Sequence, residues 1–95
     1  MEYRQTPTSD GWLIEAWEDG KRLAGVEYCA DENPDEHDYS AKTWELVRDD
    51  ILRNAEEMKQ RANLVYNLYA RLHRAAAAAI RSGQPIDLGM GLEGK

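Results

Sequence analysis

"SAKTWELVRDDILRNAEEMKQRANLVYNLYARLHRAAAAAIRS", residues 40–82, holds neither proline nor glycine, and its reading as one helix or two decides the fold. A continuous helix over this stretch has about 40 residues and spans roughly 60 Å at ~1.5 Å per residue. Ile51, Ala55, Met58, Ala62, Val65, Tyr69, Leu72, Ala76 and Ala79 recur at spacings of four and three, a coiled-coil-like a/d seam. Leu52, Tyr66, Leu68 and Ile80 widen the stripe, while Arg71, Arg74 and Arg81 fall on the outer face. A stripe this broad calls for two neighbours, the N-terminal strands on one side and another helix on the other. The chain supplies that second helix only if this one breaks, for which "RANLV" (61–65) is the place, although no Gly or Pro marks it.

The simplest other source is a second copy of the chain. The expectation is therefore a homodimer or higher homo-oligomer with Ala62, Val65, Tyr69, Leu72, Ala76 and Ala79 as its interface. The five consecutive alanines, Ala75–Ala79, favour helix and let another backbone approach closely. Ser82-Gly83 followed by Pro85 is a stop signal. The tail, 83–95, alternates Ile86, Leu88, Met90 and Leu92 with small or acidic residues, a pattern that could add a strand to a sheet edge. Four glycines in its thirteen residues favour a flexible tail instead.

Upstream, "WLIEAWEDGKRLAGVEYC" (12–29) reads as an antiparallel β-hairpin about Asp19-Gly20, because both central residues of a type I′ turn need positive φ. Glu18 then faces Lys21, and Trp17 faces Arg22 as a cation–π pair. This register places Trp12, Ile14, Ala16 and Leu23 on one face, and Leu13, Glu15, Trp17, Ala24, Val26 and Tyr28 on the other. Glu2–Thr6 is a candidate third, edge strand. "DENPDEHD" (31–38) is acidic and reads as a helix start, with Asn33 as N-cap and Pro34 in the first turn; Ser40 offers a second start. The fold class is α+β, a single domain over 1–95: strands in 1–30, an acidic helix start in 31–39, the long helix in 40–82 and the tail.

Charge narrows function. Residues 1–39 hold eleven acids against three bases, whereas 61–82 hold four arginines and no acid, within a net charge of −6. The acidic half argues for a basic protein surface as partner and against direct nucleic-acid binding, as does the lack of a nucleic-acid-reading module around Arg61, Arg71, Arg74 and Arg81. No catalytic, phosphate-binding or metal-ligand spacing appears, and no cofactor is implied. His37 lies among consecutive carboxylates that cannot converge from one helix start, His73 lies beside the seam, and Cys29 has no activating base in sequence. No apolar run approaches the ~20 residues of a membrane span, the first residues lack a signal-peptide order, and one cysteine suits a reducing compartment. A cytoplasmic location is expected.

These features point to a non-catalytic, acidic protein-binding module. In size and charge alone it resembles phage-encoded inhibitors of bacterial defence such as anti-CRISPR proteins, a resemblance that implies occlusion of a basic, nucleic-acid-binding surface. The contact candidates are Asp31, Glu32, Asp35, Glu36 and Asp38, with Trp12 and Trp17 as aromatic anchors. A homo-oligomeric structural protein is the alternative. The third reading is a small anionic-ligand binder that uses Tyr66, Tyr69 and His73 at the oligomer interface.

Overall fold

A computed structural model describes residues 1–54, 56 and 59–83. Three strands, β1 (Glu2–Pro7), β2 (Gly11–Glu18) and β3 (Lys21–Cys29), form an antiparallel sheet in the order β1-β2-β3. Two helices follow, α1 (Pro34–Asn54) and α2 (Lys59–Ser82). The α+β class and the edge strand stand; the single long helix does not. It ends at Asn54 and resumes at Lys59, N-terminal to "RANLV", and the expected seam is cut there. Ala55 and Met58 of that seam, Glu57, and the alternating tail of Ile86, Leu88, Met90 and Leu92 lie outside the described residues.

Local chemistry explains the boundaries. Asn33 Oδ1 accepts the Asp35 N–H at 3.0 Å, capping α1 with Pro34 at its first position. Ser40, the other candidate start, lies inside α1, where its hydroxyl donates to the Glu36 carbonyl. Gly83 has φ +72° and donates its N–H to the Ala79 carbonyl at 2.9 Å, which ends α2 where the sequence places the stop. Asp19 and Gly20 have φ of 52° and 75°, the positive pair a type I′ turn requires.

The hairpin register holds only near the turn. Glu18 pairs with Lys21 and Trp17 with Arg22, but Ala16 pairs with Ala24, Ile14 with Val26 and Trp12 with Tyr28. Leu23 is thus an extra residue on β3, and the bulge shifts every later residue by one. This corrects the expected faces: Ala24, Val26 and Tyr28 join Ile14 and Ala16 in the core. The cation–π pair is also different. Arg4, from β1, lies 4.1 Å from the Trp17 ring centroid, while Arg22 reaches Glu15 at 3.5 Å. Gly25 makes that reach possible, since a Cβ there would stand 2.5 Å from the Arg22 guanidinium.

α2 is the middle layer, packed on β2 and β3 by one face and on α1 by another. Leu68, Leu72, Ala76 and Ala79 join Ile14, Ala16, Ala24, Val26 and Tyr28 in one buried cluster. Ala41 of α1, with Ala70 and Ala77 of α2, is buried outside that cluster. Antiparallel α1 and α2 are tied by Arg81 to Asp35 and Asp38, by Arg74 to Glu45, and by Arg48 to Asn67. Trp44 stacks on Tyr66 and Tyr69, with centroids 5.2 and 4.4 Å away; each such pair contributes about 1 kcal/mol. The two neighbours that the broad stripe demands are thus both within one chain. Ala62, Leu72, Ala76 and Ala79 are buried there, and Val65 and Tyr69 are half-buried, so the surface assigned to a second copy is met by the chain's own layers. Among the described residues no helix is long and apolar enough to cross a membrane.

Candidate functional site

Two features stand out: a buried polar relay at the β3–α1 junction and an uncovered stripe on α1. The relay begins at Glu32, which the turn after β3 holds beneath the strand end. Its Oε1 accepts the Cys29 backbone N–H at 2.9 Å, and its Oε2 lies 2.6 Å from His37 Nε2. His37, on the first turn of α1, is 7 % exposed, and its Nδ1 lies 2.9 Å from Nδ1 of His73 on α2. Tyr28 closes one side edge-on to His37, with ring centroids 6.5 Å apart. Its buried hydroxyl has no hydrogen-bond partner among the described residues.

The imidazoles meet head-on. Their centroids are 5.2 Å apart, which exceeds the Nδ1–Nδ1 distance by about one ring width. That arrangement places a single proton between the two nitrogens. Ligands of a common metal would instead turn their lone pairs toward a third point. Among the described residues no three His, Cys, Asp or Glu side chains are grouped to hold a metal ion.

Charge states follow from the surroundings. Burial, and then the neighbouring His37, push His73 down to about 4, against the opposing pull of Glu32. Burial alone would raise Glu32, but the Cys29 N–H, the His37 hydrogen bond and His37's charge hold its carboxyl below the usual value. Glu32 is then the acceptor and His37 Nε2–H the donor. The Cys29 thiol is pushed up to about 11, first by its hydrogen bond to Asp10 and then by burial and the surrounding carboxylates. A thiol held protonated in this way is a poor nucleophile.

The predicted contact residues are scattered by these arrangements. Glu32 is committed to His37, and Asp35 and Asp38 to Arg81. Trp12 packs against the core and Trp17 lies under Arg4, both half-buried. Asp31 and Glu36 are exposed and their carboxylates are unpaired among the described residues. Tyr66, Tyr69 and His73, assigned to an anionic ligand, are occupied by Trp44 and His37. Arg74 and Arg81 face α1 carboxylates, which removes them from any free basic stripe.

The α1 surface escaped the sequence reading. Glu36, Tyr39, Thr43, Leu46 and Asp50, at spacings of three and four, are all exposed on the side away from α2, with Val47 beside them. Tyr39 is 75 % and Leu46 69 % exposed, unusual for large apolar side chains two turns apart on one helical face. Lys42 and Arg53 flank one side. The spacing was legible in sequence, but the stronger seam further along drew the apolar assignment away from it. No family model, curated protein or solved structure matches this chain.

Proposed function

We propose that the protein is a non-catalytic binding module whose docking surface is the outer stripe of α1, and that its partner is another protein presenting an apolar groove rimmed by Lys and Arg. The carrying observation is that Tyr39 and Leu46 stand exposed in one line between Glu36 and Asp50. Tyr and Leu one heptad apart fit the helix-in-groove mode of recognition. Glu36 and Asp50 at the two ends of the line, with Asp31 beyond Glu36, supply the complement to a basic rim, in keeping with a net charge of −6. Inhibition by occluding a basic surface is one use of such a module.

The test places a photo-crosslinking amino acid at Tyr39, at Leu46, and at the exposed control positions Lys21 and Asn63. The reading expects one protein species captured from both α1 positions and from neither control. Once that species is purified, Leu46→Asp weakens its binding at least tenfold, and Glu36→Lys weakens it and flattens its salt dependence. Equal capture from all four positions, or affinity unchanged by both substitutions, refutes the docking surface. Capture of a second copy of this chain from both α1 positions overturns the hetero-partner in favour of a homo-oligomer.

A further inference from the structure

Independently of what docks on α1, we infer that Glu32, His37 and His73 form an acid-operated latch, which clamps the β3–α1 junction onto α2 while one proton lies between the two Nδ1 atoms and opens when each carries its own. The geometry counts protons. With Glu32 ionised and both rings neutral, His37 donates Nε2–H to Glu32 at 2.6 Å, and His73 donates Nδ1–H to His37. A first added proton is accommodated: His37 becomes doubly protonated, His73 shifts its own proton to Nε2, and its Nδ1 accepts. Every hydrogen bond survives, and His37 gains an ion pair with Glu32. A second proton has no such place. It must go onto His73 Nδ1, where two N–H groups then point at each other across 2.9 Å.

The surroundings oppose that second proton and give no route around it. His37 is buried beside the apolar ring of Tyr28, and His73 is half-buried. The charged and titratable groups near the pair are few. From β3 and its neighbouring turn come Cys29 and Asp10, whose carboxylate helps to keep the Cys29 thiol protonated. From α1 come Asp35 and Asp38, neutralised by Arg81 of α2, and Glu45, which takes Arg74. Glu32 is therefore the carboxylate in direct contact, and it already serves His37. Its other oxygen holds the Cys29 N–H, so opening the latch releases the last backbone amide of β3 as well.

The experiment follows the imidazole nitrogens and the backbone amides of the full chain by NMR from pH 8 to pH 3.5. The first protonation is expected to leave Cys29 amide protection intact. The second is expected to lower it at least tenfold while Ile14 and Val26, in the sheet core, stay protected. His73→Asn, which cannot take that proton, abolishes the Cys29 step; His37→Gln serves the same purpose if the first variant fails to fold. Cys29 protection unchanged through the titration of both rings overturns the latch. So does its loss only together with Ile14 and Val26, or a step that persists in either folded variant.

Discussion

The alanine run gives the sharpest mutational test of the layering. Ala76, Ala77 and Ala78 are consecutive, yet the fold gives each a different neighbour: the sheet, α1 and solvent. Ala76 and Ala77 are both 0 % exposed, so leucine at either adds three carbons where no space exists. Overpacking of this kind costs about 1–3 kcal/mol. Ala78→Leu adds the same atoms outside, with an expected effect within about 0.5 kcal/mol. A domain of 95 residues has roughly 5–14 kcal/mol to lose, so all three variants should fold. Urea denaturation at a slope of ~1–3 kcal/mol/M places Ala76→Leu and Ala77→Leu about 1 M below the parent midpoint, and Ala78→Leu beside it. Three equal midpoints, or Ala78→Leu as the most damaging variant, would refute the placement of α2 between sheet and α1.

Two further outcomes follow from the relay. His73 is held down to about 4 in the folded chain against an ordinary 6.5. The unfolded chain therefore binds more protons between those values, and stability is full above about pH 6.5 and declines as pH falls toward 4. Linkage allows at most ~3 kcal/mol for this one group, and solvent screening of the half-buried ring reduces that to about 1–2 kcal/mol. Urea midpoints across that range measure it, and His73→Asn should flatten the slope. Cys29, at about 11 against 9.0, should alkylate on the order of a hundredfold more slowly at pH 8 than an unperturbed thiol. Asp10→Asn should restore much of that rate; equal rates in both proteins would show that Asp10 does not hold the thiol.

Much of the architecture was legible because its signals are local. Asp19-Gly20 fixed the hairpin turn, Asn33-Pro34 the start of α1, and Ser82-Gly83 the end of α2, each through the dihedral or capping needs of a few neighbouring atoms. The bulge at Leu23 was not legible, since a one-residue insertion leaves the period-two pattern intact on either side and only flips its phase. The break between Asn54 and Lys59 carries no Gly or Pro, so nothing in propensity announces it. The breadth of the apolar stripe did call for two neighbours, and the fold supplies both by turning the chain back on itself. The relay depended on that reversal. His37 and His73 are 36 positions apart and meet only when α1 and α2 run antiparallel, a relation that no periodicity in either helix encodes.

The reversal itself is the claim on which the core, the relay and the outer stripe of α1 all rest. Lys42 and Ala78 are exposed positions on α1 and α2, suited to paired spin labels. The doubly labelled chain, diluted into unlabelled protein, gives the distance within one molecule by pulsed electron resonance. Antiparallel helices packed ~8–10 Å apart predict a separation below about 25 Å. A separation near 54 Å, roughly 36 residues at ~1.5 Å each, would mean one continuous helix and would contradict the account.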